Sequence, residues 1–187
     1  DTIFIPSKNP FQIMVMKKCI LALLFFIPVT ATVFAQAQYE ASQDPKHPEI
    51  KIVRGLVNKY LIENDTAFTW YKPNQGGYNP DSTTLNAFAR AKGKYQIVVF
   101  GGTWCEDTQF ILPKFFKLQE KSGFPDDAIT MFGVNREKTS LGNIAKAFNI
   151  TLVPTFIVMK DGKEIGRVVE YGKTGKWDKE IAALLNQ

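Results

Sequence analysis

Hydrophobic residues in the second half of the chain form short continuous runs that are typical of buried strands. Three such runs lie at 95–100 (YQIVVF), 129–135 (ITMFGVN) and 155–160 (TFIVMK). A fourth apolar segment, 164–170, follows Asp161 and Gly162, a residue pair that strongly favours a hairpin turn. We therefore predict four strands here, of which the last two form an antiparallel hairpin.

Between these runs, apolar residues recur at a spacing of three to four, which predicts helices. The expected helices are one capped by Asp81 or Ser82 and reaching Ala91, one from Cys105 onward, one over 140–148 capped by Ser140, and one over 174–186. Central strands joined by helices are expected to run parallel, whereas the final hairpin is antiparallel. The pattern predicts an α/β fold over 64–187, with a mixed central β-sheet and helices on both faces.

The segment before this domain has a different pattern. Residues 36–48 are polar and contain proline, which predicts a linker. Apolar residues at helical spacing then predict an additional N-terminal helix over 49–63 that packs on the main domain. The aromatic run AFTWYK (67–72) predicts a strand, and PNQGGYNP (73–80) predicts a loop.

The N-terminal residues carry the pattern of an export signal. Met16, Lys17 and Lys18 precede an apolar run that ends in Val33-Phe34-Ala35, and this pattern predicts a cleaved signal peptide over 16–35. An uncleaved membrane anchor is the alternative. We expect an exported protein, periplasmic or secreted, with no membrane segment after cleavage. Residues 1–15 are interpreted as an upstream extension that is not part of the fold.

The composition and the net charge limit the kinds of partner that are expected. Apolar residues make up 45% of the chain and aromatic residues 13%, so a packed core is expected. The net charge of +5 falls to +3 without the first 35 residues, and the basic residues are scattered rather than clustered. Nucleic acid is therefore not expected as a partner, and we expect a monomer.

Cysteine and histidine are scarce, which excludes several chemistries. The chain has two cysteines and one histidine, and cleavage after residue 35 would leave Cys105 and His47. A single cysteine cannot form an internal disulfide. One Cys and one His cannot form a zinc site unless carboxylates supply the remaining ligands. His47 lies in the polar segment, so a Cys–His nucleophilic pair is not expected. No metal or cofactor is predicted, and the unpaired Cys105 indicates a reactive thiol or pairing with another molecule.

Four features follow one another in a set order along the predicted domain. They are Trp104-Cys105 at a strand-to-helix junction, Pro113 eight residues after the cysteine, Val153-Pro154-Thr155 before a strand, and Gly166 with Gly172 at the hairpin and the final turn. This ordered set resembles the thioredoxin superfamily. The resemblance implies a thioredoxin-like fold, an attacking cysteine at Cys105 and a cis-proline loop at Pro154.

The resemblance is incomplete at two positions. Thr108 stands where the family has its second active-site cysteine, so the motif is C-x-x-T, and Val99 stands where the family has a buried acid. Because both parts of the dithiol apparatus are missing together, dithiol reduction within a single encounter is not expected. A single thiol can still attack a disulfide and form a mixed disulfide, which an outside thiol then releases.

The predicted site consists of two groups of residues. Cys105 is the nucleophile, the Thr108 hydroxyl is expected to donate a hydrogen bond to its sulfur, and Trp104 either packs in the core or provides a shelf for substrate. Substrate binding is assigned to the loop of Val153, Pro154 and Thr155. The helix start favours a thiolate at Cys105, whereas the carboxylates of residues 106 and 107 oppose it by a similar amount.

Three functions fit these residues. The first is thiol–disulfide exchange by one cysteine, of the isomerase, mixed-disulfide or deglutathionylation type, with thiol- or disulfide-containing proteins or small thiols as partners. The second is a thioredoxin-fold module that binds a peptide or protein without turnover. A thiol peroxidase ranks third, because position 102 is glycine and no arginine lies near Cys105 in the sequence.

Overall fold

A six-stranded mixed sheet forms the centre of the molecule in a computed structural model that describes residues 37–187. The strands are β1 (Tyr39–Gln43), β2 (Lys51–Val57), β3 (Gln96–Gly101), β4 (Ile129–Gly133), β5 (Thr155–Lys160) and β6 (Lys163–Val169). Their order across the sheet is β1-β2-β4-β3-β5-β6. The expected extension over 1–15 and signal peptide over 16–35 lie outside the described residues.

Six helices accompany this sheet in the described part of the chain. They are α1 (Lys59–Asn64), α2 (Tyr71–Gln75), α3 (Ser82–Arg90), α4 (Glu106–Ser122), α5 (Ile144–Ala147) and α6 (Trp177–Leu184). Between residues 37 and 187, none of the helices has the length and apolar character needed to cross a bilayer. The predicted α/β class with a mixed central sheet is confirmed.

The alternation of β3 side chains divides the interior into two cores. Ile97 and Val99 are fully buried on one face, where α3, α4 and α6 supply most of the larger core. Phe100 is fully buried on the other face, in a smaller core that includes Ala145 of α5. Cys105 packs against this smaller core, so the thiol lies on the thinly covered face of the sheet.

Most elements of the second half match the sequence prediction. Helix α3 begins after Asp81, whose side chain accepts a hydrogen bond from the Thr84 N–H, and α4 begins directly after Cys105. Strands β3 and β4 pair in parallel, and β5 and β6 form the predicted hairpin around Asp161 and Gly162.

Strand β5 departs from the expected direction. A helix joins it to β4, yet it pairs antiparallel with β3, so the expectation that helix-linked strands run parallel fails at this edge. The connection over 140–154 is also less helical than predicted, because α5 contains only Ile144–Ala147. Ser140 does not cap it. Its hydroxyl instead donates to the Gly133 carbonyl and accepts from the Gly55 N–H.

The helix predicted over 49–63 is wrong for most of its length. Residues Lys51–Val57 form β2, and only Lys59–Asn64 is helical. Val53 and Val57 are four residues apart, a spacing that one helical turn and two strand repeats both satisfy. Pairing with β1 and β4 decides the outcome, since β2 gains backbone hydrogen bonds on both of its edges.

The predicted linker and the first predicted strand need correction as well. Part of the segment 36–48 forms β1, an exposed edge strand, so the folded unit begins near Ala37 and not at residue 64. Residues 67–72 form no strand: 67–70 make a turn, and 71–72 are the first residues of α2. Phe68 and Tyr71 lie three residues apart and are both buried, as expected for a turn that packs one side on the core.

Candidate functional site

Cys105 occupies the junction between β3 and α4. It is the N-cap residue of α4, with φ −93° and ψ 124°, and its side chain makes no cap hydrogen bond. The side chain is therefore not committed to the helix and remains half-exposed. The thiol donates a hydrogen bond to the Val153 carbonyl oxygen, with a sulfur–oxygen distance of 3.2 Å.

The loop of Val153, Pro154 and Thr155 lies directly opposite this thiol. The peptide bond between Val153 and Pro154 is cis. The Thr155 hydroxyl donates to the Leu152 carbonyl at 2.7 Å, and the Pro154 carbonyl accepts from the Glu170 N–H at 2.7 Å. The cysteine and the proline loop, which were predicted as two separate groups, are thus in contact. The residue that follows β6, Glu170, holds the loop through its backbone N–H.

Thr108 does not make the contact that was expected of it. Its side chain is fully buried one turn into α4, and its hydroxyl oxygen accepts a hydrogen bond from the Gly102 N–H at 3.3 Å. The hydroxyl thus supports the backbone of the loop before Cys105 rather than the sulfur. Val99, at the position of the family's buried acid, is fully buried in the larger core.

Trp104 is held from several sides beside the thiol. Its indole Nε1 donates to the Val134 carbonyl at 2.9 Å, and Arg136 and Lys138 lie 5.0 Å and 5.3 Å from its ring centroid. A Cβ at Gly102 would lie 2.7 Å from Nε1, so the ring requires glycine there. Both interpretations of Trp104 have support, because it packs on the smaller core and also lines an open cleft.

Pro113 lies inside α4, where it removes one backbone donor. The carbonyl left without that helical partner belongs to Gln109, four residues earlier. Asn74 of α2 donates its side-chain amide to this carbonyl at 3.1 Å. The Gln109 side chain in turn donates to the Thr103 carbonyl at 2.8 Å, which ties the kinked helix back to the loop that carries Cys105.

An open cleft of about 500 Å³ lies in front of the thiol, and one of its walls was not anticipated. Its lining residues are His47, Ile50, Trp104, Cys105, Glu106, Asp107 and Arg136. His47 was assigned to a polar linker, but the β1–β2 connection carries it to the site. Strand β2 runs antiparallel to β4, and β3 runs parallel to it. The first residue of β2 therefore lies at the same end of the sheet as the last residue of β3. Recognising 51–57 as a strand would have predicted this position.

The β1–β2 connection is fixed by a buried carboxylate. Asp44 is buried, forms an ion pair with Arg136, and accepts hydrogen bonds from the N–H groups of Lys46 and His47 at 2.9 Å and 3.2 Å. The hydrogen bond from Arg136 lowers the pKa of Asp44, an effect that burial opposes and the two backbone N–H groups reinforce. Asp44 thus remains charged and links the connection to a cleft residue.

Strand β2 also contacts the loop that carries the thiol. The buried Thr103 hydroxyl donates to the Lys51 carbonyl at 2.7 Å and accepts from the Val53 N–H at 3.2 Å. Thr103 is two residues before Cys105, so the position of the cysteine loop depends on β2. The segment before the predicted domain is therefore part of the site.

Exposed apolar side chains also lie on segments near the thiol, outside the lining of the cleft. Phe110, Leu152 and Tyr171 are between 38% and 46% exposed, and the rings of Phe110 and Tyr171 lie 6.1 Å apart. Burial, followed by the nearby Asp107 carboxylate, raises the pKa of Tyr171. Large apolar side chains are thus available beside Cys105 for contact with another molecule.

The fold and the site together define a thioredoxin-like domain with one thiol at the start of a helix. A family model for thioredoxin matches residues 81–183, which is more than half of the chain. The chain therefore belongs to the thioredoxin family. Proteins of this family generally act on thiol or disulfide substrates, and the domain supports a thiol–disulfide redox function in general.

Proteins with similar sequences include one from a virus and one from a plant. A thioredoxin-like protein of Acanthamoeba polyphaga mimivirus is 35% identical over 96 residues, which is 49% of this chain and 67% of that protein. Thioredoxin H2 of Arabidopsis thaliana is 30% identical over 95 residues, which is 51% of this chain and 66% of the relative. The chain thus spans about two thirds of the length of these relatives.

Solved structures with a related arrangement include a thioredoxin from Nicotiana alata. It is 25% identical, with a TM-score of 0.40, over 55% of this chain and 79% of that one. A protein of unknown function from Pseudomonas aeruginosa is 16% identical, with a TM-score of 0.46, over 68% of this chain and 89% of that one.

Proposed function

We propose that the protein catalyses thiol–disulfide exchange with Cys105 as its single nucleophile. The Cys105 thiolate attacks one sulfur of a substrate disulfide, and the other sulfur leaves as a thiol after taking up a proton. The enzyme sulfur and the attacked substrate sulfur then share a mixed disulfide. A second thiol, from the substrate or from a small molecule, attacks this bond and returns Cys105 to its reduced state.

One observation carries this proposal. Cys105 is partly exposed at the beginning of a 17-residue helix, and its thiol donates a hydrogen bond to the Val153 carbonyl. A partly exposed cysteine at the start of a helix, beside free backbone N–H groups, is a common position for a reactive thiol. The same position gives an incoming disulfide access to the sulfur from the open cleft.

The surroundings favour a protein or peptide substrate that contains a disulfide. The Val153 N–H has no hydrogen-bond partner among residues 37–187, so it can pair with an extended backbone laid along the loop. Phe110, Leu152 and Tyr171 offer exposed apolar contacts near the loop and the thiol. The open cleft, with charged side chains in its lining, gives small thiols a route to Cys105.

The same apolar side chains support the alternative function, a binding module without turnover. In such a module the groove between Trp104 and Pro154 would hold a peptide, and the buried Thr108 would leave no internal route for releasing a mixed disulfide.

The proposal also includes the location and the oligomeric state of the protein. The pattern over 16–35 supports export, and a monomer is proposed with it.

The test compares the wild type with Cys105→Ser. Both are incubated with a scrambled-disulfide protein and, separately, with a glutathionylated peptide in the presence of a small thiol. We expect wild-type rates well above the uncatalysed background and background rates for Cys105→Ser, because serine cannot form the mixed disulfide. Equal rates for the two proteins, together with unchanged peptide binding, would support the binding module instead.

A further inference from the structure

The β1–β2 connection places the chain's only histidine in the same open cleft as the thiol. His47 and Cys105 line the same cleft, yet they come from segments that are 58 positions apart and were expected to be unrelated. The family's usual acid and second thiol are replaced by Val99 and Thr108, so the buried side of Cys105 offers no group that exchanges protons near neutral pH. Histidine as a residue type exchanges protons near neutral pH, and His47 lies on the solvent-open side of the cleft.

The position of His47 is defined by its backbone. Its N–H donates to the buried Asp44 carboxylate, and its carbonyl accepts from the Ile50 N–H at 2.8 Å. The imidazole Nδ1 lies 3.4 Å from the Glu49 carboxylate. Nε2, on the other side of the ring, has no hydrogen-bond partner among residues 37–187. The ring is 56% exposed and can therefore turn toward a molecule in the cleft.

We propose that His47 acts as the acid–base residue of this cleft, an inference that rests on the proposed exchange reaction. When the Cys105 sulfur attacks a disulfide, the S–S bond breaks and the departing sulfur carries the electron pair away as a thiolate. Imidazolium His47 transfers its proton to that thiolate, which leaves as a neutral thiol. Neutral His47 then takes the proton of the second thiol as this thiol attacks the mixed disulfide, and the cycle closes without any further oxidant or reductant.

The charges around the cleft are consistent with this role. Glu106 and Asp107 from the start of α4 line the same cleft as His47, and the Glu49 carboxylate lies beside its Nδ1. Arg136 also lines the cleft, and its guanidinium is paired with Asp44 and lies over the Trp104 ring. Carboxylates from two elements therefore lie around His47, and the arginine of the cleft lining already has a partner.

The experiment varies the leaving group and keeps the substrate uncharged. Bis(2-hydroxyethyl) disulfide releases a basic aliphatic thiolate that benefits from a proton donor, whereas 2,2′-dipyridyl disulfide releases a stabilised anion that does not. We expect His47→Gln to slow reaction with the aliphatic disulfide by about tenfold, below the usual range for general acids because the cleft is wet. Its rate with the aromatic disulfide should stay within about twofold of the wild type.

A matched control is available on the same connection. Lys46→Gln removes a positive charge next to His47, but its side chain does not line the cleft. It should behave as the wild type with both disulfides. Equal slowing by Lys46→Gln and His47→Gln, or equal slowing of both disulfides by His47→Gln, would overturn the role of His47.

The two proposals fail in different ways. If wild-type Cys105 reacts with neither disulfide faster than a free thiol, the exchange function and the role of His47 both fall. If wild type and His47→Gln react equally with the aliphatic disulfide, only the role of His47 falls. Unfolding curves of the variants confirm that each comparison is made on folded protein.

Discussion

Two regions of different character meet at the thiol. The segment matched by the family model, 81–183, supplies Cys105 and the loop of Pro154 and is built around mostly buried strands such as β3 and β5. The preceding hairpin of β1 and β2 supplies His47 and Ile50, and all five residues of β1 are exposed. The family segment thus provides the nucleophile, and the hairpin provides the facing wall of the cleft.

The difference shows that the two regions depend on different forces. Burial of large apolar side chains holds the family segment together, so small changes at its surface cost little. The hairpin buries the apolar side chains of β2 as well, but it depends in addition on a close strand junction, one buried hydroxyl and one buried carboxylate. Each of these can be broken separately, and the resulting loss should fall mainly on the hairpin and on the cleft wall.

The strand junction should give the largest effect. Gly55 of β2 and Gly133 of β4 are register partners, and a Cβ at Gly133 would overlap the Val53 carbonyl oxygen. Gly133→Ala should therefore push β2 away from the sheet at a cost of about 3 kcal/mol. Chemical denaturation measures the loss, and limited proteolysis should show early cleavage within residues 37–57.

Gly142→Ala is the appropriate control for that substitution. Gly142 has φ +63° and open space where a Cβ would lie, so it tests backbone strain without a clash. Its cost should be about 1 kcal/mol. Equal losses for the two variants would contradict the claim that close strand contact, and not glycine content, governs the junction.

The hydroxyl of Thr103 should give an intermediate effect. Thr103→Val preserves the side-chain shape but removes the bond to the Lys51 carbonyl and leaves the Val53 N–H unpaired. We expect a loss of about 2 kcal/mol in the free energy of unfolding, the usual cost of buried polar groups left without partners. Thr130→Val, on the exposed side of β4, should change stability by less than about 0.5 kcal/mol.

The carboxylate of Asp44 should give the smallest effect, one that depends on pH. Its pKa is lowered in the folded protein, mainly by Arg136, so its contribution to stability is present above the pKa of an unfolded aspartate, about 3.9. This contribution is lost as the pH falls through the lower folded pKa. The melting temperature of the wild type should exceed that of Asp44→Asn at pH 7, and the gap should narrow as the pH falls below the pKa of an unfolded aspartate. A gap that stays constant between pH 7 and pH 3 would show that the charge of Asp44 is not what holds the connection.

The sequence was sufficient where local pattern and tertiary environment agree. The apolar runs at 95–100 and 155–160 predicted strands buried on both faces, and the Asp161-Gly162 pair predicted the turn of a hairpin; the structure has mostly buried strands and this hairpin there. The position of Cys105 at a helix start followed from the strand before it and the helix after it. These features depend on neighbours along the chain, which the sequence displays directly.

The sequence alone thus determined the thioredoxin-like core and the place of its thiol. Only the tertiary structure decided that 51–57 pairs as a strand, that Thr108 bonds to Gly102, and that His47 lines the same cleft as Cys105. The reason is physical. A spacing of four suits a helix and a strand equally well, and the choice is made by backbone hydrogen bonds to β4, about 75 residues further along the chain.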